Sequence, residues 1–75
     1  MYYVYLLKNH TENEIYIGYT DNLERRLKEH KSKRPELIYF EAYKSEQDAR
    51  TREVKLKQHR QTKRRLKERI QYSII

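Results

Sequence analysis

The sequence predicts an α+β domain: a small three-stranded antiparallel sheet with helices packed on it, in the order ββαβαα. Three observations predict it. Short runs of tyrosine and β-branched residues ("YYVYLLK", "IYIGY", "LIYFEAY") read as strands. The stretches between and after them carry leucine or alanine at helical spacing among charged residues. The first two strand runs are joined by one short polar segment, which suggests a hairpin. With 75 residues the chain is one domain at most, and its core is small.

Taken in order, Tyr2 to Lys8 forms the first strand, "NHTENE" a polar turn, and Ile15 to Tyr19 the second strand. Asp21 is a suitable N-cap for a helix over about Asn22 to Lys31. Pro35 ends the connection, and Leu37 to Tyr43 forms the third strand. Ser45 and Asp48 have capping-box spacing, so a second helix is expected from about Glu46 to His59. Thr62 is expected to cap a third, short helix through about Arg69, and "YSII" either frays or packs back on the sheet.

Charge divides the chain. The formal net charge is +7, but residues 1–49 carry 8 Lys/Arg against 9 Asp/Glu, whereas residues 50–75 carry 10 against 2. The first part holds the hairpin, first helix and third strand. The second is a basic helical part that points to a polyanionic partner, nucleic acid above all, with a well-solvated helical surface as the bland reading. Membrane association is disfavoured, because residues 50–75 hold few large apolar residues and neither Trp nor Phe. The N-terminal run "YYVYLLKN" is too short for a signal segment or a membrane span. No cysteine is present, which fits a reducing compartment, and the expectation is a cytoplasmic protein.

Helical phase singles out several residues. At about 100° per residue from Leu23, Leu27 falls near 40°, His30 near −20° and Arg26 near −60°, while Arg25 falls near 200°. Arg26 therefore borders the apolar stripe, His30 lies within it, and Arg25 faces solvent. The bland readings are a core histidine bonded to a backbone carbonyl and an arginine snorkelling over the helix edge. In the second helix, Glu53 shares a face with Ala49 and Leu56. An ionised carboxylate there is costly without a compensating cation. Either it is functional, or it sits at the rim paired with an arginine or a tyrosine hydroxyl. Gly18 is the one glycine of the chain. It marks a bulge or bend, or a close approach of the backbone.

The ordered set "YVY" (Tyr3 to Tyr5), "YIG" (Tyr16 to Gly18), Arg26 within "LERRLKEH", His30 and Glu53 resembles the GIY-YIG nuclease superfamily over nearly the whole chain. It looks most like the small stand-alone members, which are similar to the N-terminal nuclease domain of UvrC-type repair excinucleases. The resemblance implies a metal-dependent endonuclease acting on DNA or structured nucleic acid. It implies that Tyr5 and Tyr16 line the site, one of them as general base. Arg26 would bind the scissile phosphate with His30 nearby, and Glu53 would hold one divalent ion, Mg²⁺ or Mn²⁺. Arg50, Arg52, Lys55, Lys57, Lys63, Arg64 and Arg65 would then hold backbone phosphates, and a protein partner would supply target choice. Two departures stand out. Tyr3 replaces the first glycine of the family name, and no asparagine follows Asn22, whereas many family nucleases carry one after the metal-binding helix. The alternative is a nucleic-acid-binding module that keeps the fold with little or no cleavage.

Overall fold

The computed structural model describes residues 1–10, 14–29 and 35–74. Within them, the order is β1 (Tyr2–Asn9), β2 (Glu14–Thr20), α1 (Leu23–Glu29), β3 (Pro35–Tyr43), α2 (Glu46–Gln58), α3 (Arg60–Arg69) and α4 (Gln71–Ile74). The strands form one antiparallel sheet in the order β2-β1-β3, so β1 is central and both neighbours are edges. The expected α+β architecture is the observed one.

Side chains alternate across a sheet, so each strand divides between two faces. Val4, Leu6 and Ile17 point to one face, where Ala49 and Leu56 of α2 and Leu66 of α3 complete the core. Tyr5 and Leu7 point to the other face, and they too are buried. The middle of β1 is thus covered on both sides. Opposite Tyr5 lie Gly18 on β2 and Phe40 on β3. The β1–β3 register slips between Leu6 and Leu7, which pair with Tyr39 and Leu37 and leave Ile38 extra. This bulge lets both Ile38 and Tyr39 pack on the core face.

The local signals correct several expectations. The cap of α1 is Asn22, not Asp21. Asn22 Oδ1 accepts from the Arg25 N–H at 3.0 Å, while Asp21 pairs with the Arg25 guanidinium. Thr20 fixes the entry: its buried hydroxyl accepts from the Asn22 N–H and donates to the Asn22 carbonyl, each at 3.1 Å. Lys31 and the end of the predicted first helix lie outside the described residues. Pro35 begins β3 instead of closing a loop, at the start of an edge strand, where its missing N–H is tolerated. Ser45 caps α2 as expected, accepting from the Asp48 N–H at 3.4 Å.

Thr62 does not cap α3. The break lies at His59, whose extended backbone (φ −103°, ψ 105°) separates α2 from α3 with no side-chain cap. Of the two expectations for the carboxyl-terminal segment, packing back on the sheet is the observed one: Gln71–Ile74 lies against β3. It forms α4, and Lys8 Nζ donates to the Ile74 carbonyl at 2.5 Å.

A buried-edge polar cluster anchors α2 to β3. Glu41 accepts two bonds from Arg52, Nε at 2.9 Å and Nη2 at 3.0 Å, and one from each hydroxyl of Tyr39 and Tyr43. Desolvation alone would raise the Glu41 carboxyl. The bonds from Arg52, Tyr39 and Tyr43 outweigh it and hold the group below the ordinary carboxylate range. On the opposite flank of α2, Tyr19 donates to Glu46 at 2.9 Å and the Arg50 guanidinium lies 4.6 Å from the Tyr19 ring centroid.

Candidate active site

The centre of the site is Tyr5. Its register opposite Gly18 sends the phenol across β2, because glycine presents no side chain to stop it. A Cβ built on Gly18 would fall inside the phenol, 2.9 Å from Cε1 and closer still to Cζ and Oη. Of the two readings of this glycine, close approach is therefore the structural one, and the approaching group is Tyr5. The β1–β2 register runs without a bulge at Gly18.

Four groups act electrostatically on the Tyr5 hydroxyl: Arg26, Tyr16, Glu53 and Glu29. They come from α1, β2 and α2, so charges on three elements bear on one buried oxygen. Tyr5 is 1% exposed. Burial is the largest influence on it and, against the opposing pull of Arg26, pushes the hydroxyl up to about 12. Tyr16 is placed differently. Its ring lies 6.3 Å from that of Tyr5 and the residue is 50% exposed.

Arg26 and Arg25 part as helical phase predicts. Arg25 lies on the exposed side, bonded to Asp21 at 3.0 Å and 3.8 Å from Glu29. Arg26 reaches the Glu29 carboxylate with Nη1 at 3.3 Å, while its Nε is buried with no hydrogen-bond partner among the described residues. Buried donors are rarely left so. One N–H of the guanidinium is thus open to an acceptor. Its planar fork matches phosphate or carboxylate oxygens. Glu29 was not singled out from sequence. Its signal was available, since it stands three residues after Arg26 on the same helix.

Glu53 lies next to the buried stripe of α2, with its side chain 20% exposed. Its compensating cation is Lys57, one turn on, at 3.1 Å. The bland expectation named an arginine or a tyrosine hydroxyl as that partner, and the helix supplies a lysine instead. Among the described residues no group of three His, Asp or Glu side chains converges as a metal cage. A single carboxylate is nonetheless an adequate protein ligand for a hard cation that keeps water and takes phosphate oxygens. The donor set fits that case alone. His30 lies outside the described residues.

The basic residues divide. Arg52 is held by Glu41, Lys57 by Glu53, Arg50 by Glu46 at 3.7 Å, and Arg64 by Glu68 at 3.3 Å. Lys55, Lys63 and Arg65 make no ion pair among the described residues. Lys55 and Arg65 line a groove of about 360 Å³ between α2 and α3, together with Arg52, Thr62, Leu66 and Arg69. Arg69 was not expected there, and only the α2–α3 turn at His59 brings it in.

A sheet carrying two tyrosines across a glycine, an α1 arginine and an α2 glutamate defines a domain of one recognisable class. The family model for the GIY-YIG catalytic domain matches residues 1–36, which span the hairpin and α1. The chain is 37% identical over 67 residues to a UPF0213 protein of Clostridium perfringens (strain 13 / Type A), covering 76% of this chain and 71% of that one. The chain belongs to the GIY-YIG superfamily, a family of nucleases. No solved structure matches it. No described helix is long and apolar enough to cross a membrane.

Proposed function

We propose that this protein is a metal-dependent endonuclease that hydrolyses phosphodiester bonds in nucleic acid, DNA by preference. The observation that carries the reading is Arg26, whose buried Nε meets no partner among the described residues and whose charge, like that of Glu53, acts on the Tyr5 hydroxyl. Together they form an anion receptor next to a carboxylate.

The roles follow from the environments. Arg26 holds the scissile phosphate and opposes the negative charge that develops on it. Tyr5, with its hydroxyl pushed up to about 12, stays protonated at neutral pH and donates a hydrogen bond to a phosphate oxygen. Tyr16 has a face toward solvent, where the attacking water arrives, and is the general base toward that water. The water oxygen bonds to phosphorus as the bond to the leaving oxygen breaks, and that oxygen takes a proton from solvent. A single divalent ion held by Glu53, Mg²⁺ or Mn²⁺, supplies Lewis-acid stabilisation of the phosphate and the leaving oxygen. Lys55, Lys63 and Arg65 supply contacts to flanking phosphates without reading bases.

The test is cleavage of end-labelled DNA and RNA with Mg²⁺ or Mn²⁺. Glu53→Ala and Arg26→Ala should each lower the rate by at least about 100-fold, with far-ultraviolet circular dichroism unchanged. Arg25→Ala should cut like wild type. One observation favours the second reading, a binding module with little cleavage: Lys57 already neutralises Glu53. Salt-sensitive binding by wild type and Glu53→Ala alike, with no cutting by either, would establish it.

A further inference from the structure

We infer that the open part of the Tyr5 face of the sheet is a stacking platform for unpaired bases, and that the substrate strand is single-stranded DNA. The inference deepens the nuclease reading and rests on it for the position of the phosphate. Phe40, the one phenylalanine of the chain, is 49% exposed on this face. It is the cross-strand partner of Tyr5, with β-carbons about 5 Å apart. Tyr3 meets it edge-on, ring centroids 6.1 Å apart at 63°, and so fixes its orientation. On the other side of Tyr5 stands Tyr16, also half exposed.

Single exposed apolar residues are ordinary. Two half-exposed aromatic rings on either side of a buried, anion-seeking centre are a different arrangement. A nucleotide whose phosphate meets Arg26 and Tyr5 has its base within reach of Phe40. Stacking on such rings is tolerant of sequence and needs a base whose face is open. Duplex bases have their faces covered by neighbours and show only their edges, so a duplex gains little here.

The preference for DNA over RNA is set at the nucleotide stacked on Phe40, because neither Phe40 nor Ala42 beside it carries a polar side-chain atom to receive a 2′-hydroxyl, the hydroxyls of the platform standing on Tyr3 and Tyr16. A second copy of the chain is a poorer occupant. Three partly exposed rings offer on the order of 300 Å², well short of the ~800 Å² per partner that a stable dimer buries.

The experiment is fluorescence anisotropy in chelator, so that binding is read whether or not the protein cuts. The probes are a short single-stranded DNA, the same backbone with abasic sites, its duplex, and RNA of the same sequence. Phe40→Ala should weaken binding of the single-stranded DNA about tenfold and leave the abasic and duplex probes unchanged, while Phe40→Tyr should bind like wild type. Should Phe40→Ala not fold, the wild-type preference for the based over the abasic strand still decides. Equal loss on every probe, no loss on any, or RNA bound as tightly as DNA would overturn the inference. So would a wild-type dimer that Phe40→Ala dissociates in sedimentation. A protein that shows the stacking signature and never cuts sinks the nuclease reading alone.

Discussion

At the residue scale, the site depends on one missing side chain. Gly18 makes room for the Tyr5 phenol, and an added methyl group has nowhere to go. Gly18→Ala should destabilise the fold by about 1–3 kcal/mol. It should also displace the Tyr5 hydroxyl, so activity should fall further than the melting temperature suggests. Comparing residual activity with stability well below the transition checks this. Lys57 poses a second question at this scale. Its ammonium sits where a metal's charge would, against Glu53. Lys57→Met should lower the metal concentration for half-maximal cleavage several-fold, read from a titration with Mg²⁺. An unchanged titration would mean that the lysine leaves freely.

At the element scale, the Glu41 cluster ties α2 to β3 and makes stability depend on pH in two directions. Glu41 titrates below its ordinary range when folded, so its contribution is present above that range and is lost as pH falls through the folded value. Burial, with help from Glu41, pushes Tyr39 and Tyr43 up to about 12, and burial does the same to Tyr5. An unfolded tyrosine titrates near 10. Their contribution is therefore full below about pH 10 and drains away between about 10 and 12. Urea unfolding across pH should show both losses. Glu41→Gln should cost on the order of 2 kcal/mol at neutral pH and flatten the acid limb.

Much at this scale was legible in the sequence. Strands announced themselves by composition, and helical phase separated Arg26 from Arg25 and put Glu53 beside the core. The α2–α3 break was not legible, because "QHRQT" contains neither glycine nor proline. Tertiary packing of Leu56 and Leu66 on the same core, not a local breaker, makes the chain turn there. Asp21 and Asn22 are both good caps at adjacent positions, so the sequence does not separate them; in the fold Asn22 takes the Arg25 N–H and Asp21 the Arg25 guanidinium. The carboxylate partners, Glu29 for Arg26 and Arg52 for Glu41, needed a knowledge of which elements meet.

At the scale of the whole molecule, charge is unevenly available. The basic part holds all of the excess, yet four of its seven expected phosphate contacts already face carboxylates. Affinity should therefore fall with salt less steeply than a count of seven cations implies. A logarithmic slope nearer −2 than −5 is expected, at roughly 0.7 per single-stranded phosphate contact. Charge reversal of Lys55 and Arg65 together should reduce that slope, and reversal at Arg52 should unfold rather than weaken.

Arg52 and Glu53 are consecutive residues of α2, one gripped by β3 and the other the proposed ligand of the metal. The helix is consequently a lever with its fulcrum one residue from its working tip. A roll of about 10° about an axis some 6 Å away swings the Glu53 carboxylate by roughly 1 Å. A displacement of that size costs an enzyme about a hundredfold. The grip on Arg52 therefore sets the mechanical tolerance of the chemistry. Loosening it at Tyr39 and Tyr43, which bond Glu41 and are not among the residues lining the basic groove, should slow turnover more than it lowers nucleic-acid affinity.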